Sequence, residues 1–373
     1  MSNELATALD AVDDALGASP DDSHRIIGAK VRGLLRGYDA RWRDAGYSAV
    51  AIEHVYEADL YNPETQRASR TYRLAGKLDV VAEYGGRRVL IDHKTTSHDI
   101  ADPNSAYWRQ LVVEGQVNHY YLLAWLNGQK FDFAVWDVVK KPGISPKKLT
   151  KAERASVVAE GRYFGSQIST EDRQALAAGD ERETPAMYES RLAHDCITER
   201  PDWYFQRRSV PRLDSEIMEY AGEVWEHGQD MLRSSKKLPP RNSGACMLYG
   251  SPCKFLGICS GHDTSDSDKW RRKEWVHSEL PVIQGDGREL LTNSRIRCFQ
   301  TCRRKAYYEY DLGIERQDEE ERESLFFGSL WHVAMNCWWS HFLKESEDAN
   351  GSGRSPAIAV GHHGDASEAA VAR

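Results

Sequence analysis

Apolar residues near the start of the chain recur at the three-to-four spacing of amphipathic helices. Leu5, Leu9 and Val12 share one face of a short helix within residues 1–20, which ends in the turn-forming run Ala18-Ser19-Pro20-Asp21-Asp22. Ile27, Val31, Leu34 and Leu35 form the packing stripe of a longer helix over 24–45, whose charges read as a solvated face. The period then falls to two. Residues 49–60 predict a strand in which Glu53 and Glu57 could each approach a metal but read better as exposed acids, and 74–84 and 87–95 are strands rich in Val, Leu and Ile. Gly85-Gly86 between that pair is a hairpin turn signal. A helix follows over 105–126, with Trp108, Leu111, Val112, Gln116, Tyr120 and Leu123, and then an alternating strand over 131–139 that Lys140-Lys141-Pro142 closes. Residues 152–240 are mostly helical, in segments 152–170, 173–178, 184–199 and 215–234. Between these segments, Trp203-Tyr204-Phe205-Gln206-Arg207-Arg208 reads as an aromatic strand with arginines toward water, in a composition that also suits base stacking.

The hairpin is where this pattern meets chemistry. Residues two apart on a strand share a face, so Asp92 and Lys94 project together while His93 turns away. Asp79, on the first strand, reaches the same spot across the hairpin if the register allows. Hard cations such as Mg²⁺ take oxygen ligands and are commonly held by one or two carboxylates. With a lysine beside them, such ligands suit phosphodiester hydrolysis. A solvated cross-strand ion pair is the bland alternative, and Val89-Leu90-Ile91 argues against it, because a continuous apolar run marks a strand buried on both faces. Charges at the end of such a strand need partners or a metal.

Gly76-x-x-Asp79, Asp92-x-Lys94 and Gln116-x-x-x-Tyr120, in that order, resemble motifs II and III and the QxxxY motif of the PD-(D/E)XK nuclease superfamily. The likeness is to its RecB-type branch, which includes CRISPR-adaptation exonucleases and phage recombination nucleases. The resemblance implies an α/β, restriction-endonuclease-like core, a central mixed sheet flanked by helices in the order α-β-β-β-α-β. The strand, hairpin, helix and strand read above match that order. It also implies that Asp79 and Asp92 hold Mg²⁺ or Mn²⁺ and that Lys94 orients a water or stabilises developing charge. Gln116 and Tyr120, one helical turn apart, would line the substrate channel. Downstream, Phe327-Gly328-Ser329-Leu330-Trp331-His332 resembles motif I, G-x-x-x-H, which adds His332 and the backbone carbonyl of His93 as metal ligands.

Seven cysteines, an odd number in a long chain, argue against a disulfide scaffold. Cys246, Cys253 and Cys259 fall within 14 residues, with Gly and Pro between them, and suit thiolate ligation of zinc or of an iron–sulfur cluster. Both favour four ligands. The stretch from Ser294 to Tyr308 resembles the opening of RecB-type nucleases that carry a 4Fe-4S cluster, which makes Cys302 the fourth ligand and leaves Cys298 as its rival. Cys196 and Cys337 lack partners by spacing and read as buried thiols.

Motif I and the first cluster cysteine normally precede motifs II and III, whereas here they follow them. A circularly permuted domain and a gene-boundary effect both account for this, and permutation is favoured because each motif occurs once. The expected organisation is a nuclease domain over 1–260, with its core at about 24–140 and a helical and cysteine region at 152–260. A linker follows over 261–284, then a segment over 285–345 that packs on the same domain, and a disordered tail over 346–373.

A net charge of −8 excludes a uniformly basic nucleic-acid coat, so contacts with DNA fall to local patches. Lys140, Lys141, Lys147, Lys148 and Lys151 form such a cluster, suited to phosphates or to a solvated loop. No apolar run approaches the roughly 18 residues of a membrane span, which reads as a soluble, cytoplasmic protein of a bacterial or phage-infected cell. The reading as a whole is a Mg²⁺- or Mn²⁺-dependent deoxyribonuclease. It is expected to be an exonuclease of recombination or repair, with a helicase or single-strand annealing protein as partner. The alternative is a catalytically silent DNA-binding scaffold with a structural iron–sulfur or zinc site.

Overall fold

A computed structural model describes residues 2–17, 20–235, 237–317 and 323–343; the expected tail over 346–373, and Ala18 and Ser19 of the first turn, lie outside them. Helices α1 (Asn3–Leu16) and α2 (Asp22–Trp42) open the chain, each started by a side-chain cap, Ser2 and Asp21. Three antiparallel strands follow: β1 (Tyr47–Tyr61), β2 (Ala68–Tyr84) and β3 (Arg87–Thr96). Gly85 and Gly86 both take positive φ, 57° and 76°, as a tight hairpin turn requires.

The single helix expected over 105–126 is two, α3 (Ala106–Val112) and α4 (Gly115–Leu126). They return the chain to β4 (Phe133–Lys140), which pairs parallel with β3. One further expected helix is also interrupted. Residues 152–170 divide into α5 (Lys151–Glu160) and a small hairpin of β5 (Arg162–Tyr163) and β6 (Ser166–Gln167), because Gly161 takes a left-handed φ that ends α5. Helices α6 (Thr170–Ala178), α7 (Pro185–His194) and α8 (Pro201–Tyr204) lead to β7 (Phe205–Val210), antiparallel to β4. Helix α9 (Asp214–Ser234) precedes the cysteine region, which holds α10 (Leu256–Ser260) and β8 (Trp270–Arg272). Then come β9 (Glu289–Leu291), α11 (Asn293–Thr301), α12 (Arg303–Ala306), β10 (Ile314–Arg316) and α13 (Glu323–Ser340).

The central sheet is mixed, in the order β1-β2-β3-β4-β7, with β9 parallel to β2. Val80, Ala82, Val89, Ile91, Val135 and Val139 pack on one face against α1, α2, α7 and α13, where Leu34, Leu35, Trp331 and Trp338 are buried. Leu78, Leu90, Ala134, Trp136 and Val138 pack on the other, against Val117 and Leu123 of α4, Val224 of α9 and Ile296 of α11. Helices on both faces bury the strands twice, which is why β3 and β4 are apolar without alternation.

A break in the sheet positions the site. β1 runs along one edge of β2, and on the other edge β3 stops pairing at Val80↔Ile91 while β9 begins at Leu74↔Leu291. Residues 75–79 of β2 therefore border an opening in the sheet. His119 of α4 reaches in and donates from Nε2 to the Ala75 carbonyl at 3.0 Å.

Candidate active site

The opening in the sheet leads into a cleft of about 1170 Å³. Asp79, Gln116, Tyr120 and His332 line it on the sheet side, and Asn293, Ser294 and Arg297 of α11 with Lys305 of α12 face them. The end of β3 supplies the charged row. Asp92 is buried, with Oδ2 2.5 Å from Lys94 Nζ. Lys94 donates to Gln116 Oε1 at 2.7 Å, and Gln116 Nε2 donates to the Tyr120 hydroxyl at 2.8 Å. One connected chain of contacts thus runs Asp92–Lys94–Gln116–Tyr120, because alternation on β3 and the one-turn spacing on α4 aim both pairs at the same point. The Lys94 ammonium also lies over the Trp136 ring, 5.1 Å from its centre.

Asp79 stands across the hairpin and accepts from the His93 backbone N–H at 2.8 Å. His332 of α13 approaches from the other side, its Nδ1 4.0 Å from Asp79 Oδ2. Glu53 of β1 joins them, so that one ligand atom from each of Glu53, Asp79 and His332 lies within 4.8 Å of the other two. A nitrogen and two carboxylate oxygens are donors for a hard divalent cation. Burial raises Asp92 to about 6, with Lys94 opposing and Asp79 adding to the shift. Asp92 Oδ1 has no hydrogen-bond partner. Burial also lowers the pKa of His332, against the pull of Asp79, which favours a neutral imidazole able to ligate a metal.

His93 turns to the opposite face, where its ring heads a buried row across three strands. His93 pairs in register with Asp137, and Asp137 with Arg207. His93 Nδ1 lies 3.2 Å from Asp137 Oδ2, Arg207 donates to the same oxygen at 3.2 Å and to the Tyr38 hydroxyl at 2.7 Å, and Tyr38 donates to Asp137. Burial pushes Asp137 up, but Arg207, His93 and Tyr38 together hold it down at about 2. Arg207 is thus buried, contrary to the expectation that the arginines of this strand face water, because Asp137 and four surrounding aromatic rings replace the solvent. An aspartate inside the otherwise apolar run of β4 was the available signal for this row. Glu53 gave no such signal, and its expected exposure is corrected: the side chain lines the cleft, where Lys77 pairs with it. Glu57 instead pairs with Arg73 at 2.8 Å.

The lysines of the 140–151 stretch are dispersed. Lys140 is buried over the Trp203 ring, Lys147 pairs with Glu153 and Lys148 with Glu181, and Lys141 lines the cleft. The cysteines converge. Burial, above all, raises the Cys259 thiol, and the nearby Cys253, Cys302 and Cys246 add to the shift while Arg304 opposes it. Cys253 N–H donates to the Cys246 carbonyl at 2.8 Å, and Asn242 N–H lies 3.4 Å from Cys302 Sγ. Cys298, the rival ligand, is pushed up to about 12 by burial, with Cys302 adding to the shift. Cys196 is buried.

A family model described as the PD-(D/E)XK nuclease superfamily matches residues 2–260 and 291–359. No curated protein and no solved structure matches the chain.

Proposed function

The chain belongs to the PD-(D/E)XK nuclease superfamily, and from that premise we propose that it is a divalent-metal-dependent deoxyribonuclease whose active centre is the Asp79, Asp92, Lys94 and His332 cluster. The observation that carries this reading is that the buried Asp92–Lys94 pair is tied through Gln116 to the open cleft that Gln116, Asp79 and His332 line. At about 1170 Å³ that cleft lies above the roughly 300–1,000 Å³ of small-molecule pockets, which leaves room for a nucleic-acid strand.

Asp79, Asp92, His332 and the His93 carbonyl would hold Mg²⁺ or Mn²⁺. When bound, the ion polarises the phosphate and lowers the pKa of a coordinated water. The chain's own groups do the rest. Lys94 offers a fixed positive charge for the oxygen on which negative charge develops. Gln116 holds Lys94 in place, and Tyr120 holds Gln116. Arg297 and Lys305 across the cleft are placed to neutralise backbone phosphates without reading sequence.

The finer reading is an exonuclease of the RecB-type branch, circularly permuted, that serves recombination or repair in a bacterial or phage-infected cell beside a helicase or annealing protein. The family motifs in their rotated order support it. Cys246, Cys253, Cys259 and Cys302 would hold a structural 4Fe-4S cluster. Tetrahedral zinc is the alternative for the same four thiolates. Iron content and visible absorbance of the purified protein decide between the two metals.

The decisive experiment is digestion of end-labelled single- and double-stranded DNA with Mg²⁺ or Mn²⁺, comparing the wild type with Asp92→Ala. Degradation by the wild type alone is expected, with short products accumulating from the labelled end. An inactive wild type, with metal supplied, would replace this reading by the silent DNA-binding scaffold.

A further inference from the structure

Glu53 belongs to none of the family motifs, and its geometry is unusual. It faces Asp79 across the sheet, since the register runs Ile52↔Val80 and His54↔Leu78. Its φ is 50°, a left-handed value that strains any residue with a Cβ and is rare inside a strand. Both strands turn over at this point. Ile52, Val80 and Ala82 pack on the α13 side, but Tyr56, Leu74 and Leu78 pack on the α4 side, although all are even-numbered. A regular strand keeps such residues on one face. The reversal at Glu53 and Asp79 sends both carboxylates into the cleft instead of against either helical layer.

There Glu53 completes a donor set. One ligand atom from each of Glu53, Asp79 and His332 lies within 4.8 Å of the others. Asp92, 1% exposed and beside Asp79, keeps one carboxylate oxygen without a hydrogen-bond partner. Its other oxygen is committed to Lys94, which leaves Asp92 a single oxygen for a cation beside the Glu53, Asp79 and His332 donors. Lys77 pairs with Glu53, a positive charge on the carboxylate a metal ion would use.

We propose that Glu53 is a direct ligand of the divalent cation, a side-chain donor with Asp79 and His332 that the family motifs do not include, and that Lys77 is the counter-charge the cation displaces. The proposal rests on the nuclease reading of this site. It states why a strained backbone is kept here: the left-handed turn aims the carboxylate, and a residue that relaxed the turn would lose the ligand.

The test is Mn²⁺ binding to the full chain without DNA, followed by loss of the free-ion electron paramagnetic resonance signal. Asp79→Asn and Glu53→Gln should each weaken binding at least tenfold. Glu57→Gln, altering an acid paired with Arg73 on the same strand, should bind as the wild type does. Lys77→Met should bind as tightly or more tightly, because it removes a competitor and leaves the ligand in place. Glu53→Gly should also lose binding, while its melting temperature without metal stays equal or rises as the strain is relieved. Wild-type affinity in Glu53→Gln, with binding lost in Asp79→Asn, overturns the role of Glu53 and leaves the metal site standing. A metal-free Glu53→Gly that melts well below the wild type makes Glu53 a structural residue and overturns the proposal too. A wild type that binds no Mn²⁺ removes the proposal together with the site reading beneath it.

Discussion

His119 carries no motif, yet it closes the opening beside β2, donating to the Ala75 carbonyl and accepting from the Tyr220 hydroxyl at 3.2 Å. Burial lowers its pKa from 6.5 to about 4, with the Ala75 carbonyl opposing. The unfolded chain thus takes up a proton near pH 6.5 that the folded protein refuses until about pH 4. Stability must fall as pH drops through that window, by up to about 3 kcal/mol from this group alone. His119→Gln cannot titrate and can still donate to the carbonyl. Urea unfolding at pH 7.5 and pH 4.5 should show the variant losing about 2 kcal/mol less than the wild type between the two; equal losses would discard the assignment. At this scale strand alternation, a rule that needs only regular backbone, put Asp92 and Lys94 side by side, whereas Asp79 stands where that alternation reverses. The sequence misplaced Glu53 and Arg207 for the complementary reason. The left-handed turn at Glu53 breaks the alternation, and Arg207 is paid for in contacts with strands and helices distant in the chain.

Elements were legible where a local signal marks their ends. Gly85-Gly86 fixes the hairpin, and the apolar run of β3 announces burial on both faces. The break after Val112 carries no glycine at its C-cap, and the expected helix over 152–170 overran Gly161, the C-cap that ends α5. Between elements, the contact that aims the site is α4 on β2 at Gly76. A Cβ built there would meet Leu123 Cδ1 at 2.8 Å, Tyr120 Cε1 at 3.2 Å and His119 Cδ2 at 3.4 Å. Leu123 is fully buried, and Tyr120 is buried and tied to Gln116, so the helix itself must back away. Gly76→Ala should destabilise by about 1–3 kcal/mol, the usual range for overpacking. Because Gln116 rides on the same helix as the displaced Tyr120, its hold on Lys94 should loosen as well, lowering the single-turnover cleavage rate more than DNA affinity. A variant that melts and cleaves as the wild type does would show that α4 does not set the position of Lys94.

Across the whole molecule, the site exists only where the two ends of the motif order meet. Asp79, Asp92 and Lys94 lie on the hairpin, whereas His332 comes from α13, which also plugs one face of the sheet with Phe327, Leu330, Trp331, Met335, Trp338 and Trp339. Trp338 Nε1 donates to the buried Asp39 at 3.0 Å, and Ala49 N–H donates to the Phe342 carbonyl at 2.7 Å. β9 takes up the edge of β2 just beyond the opening. Burying a large apolar side chain is worth about 1.5–3 kcal/mol, so those six contribute on the order of 10 kcal/mol. That rivals the roughly 5–15 kcal/mol by which a whole domain is stable. A chain cut after residue 270 should therefore be insoluble, or compact without a cooperative melt, and inactive on DNA. The outcome also separates the two accounts of the rotated motif order. If residues 285–343 belonged to a second, incomplete domain, the first 270 would keep their own core and unfold in one sharp transition. If the order is a permutation of one domain, stability and the His332 donor leave together, and no substitution within the shortened chain restores either.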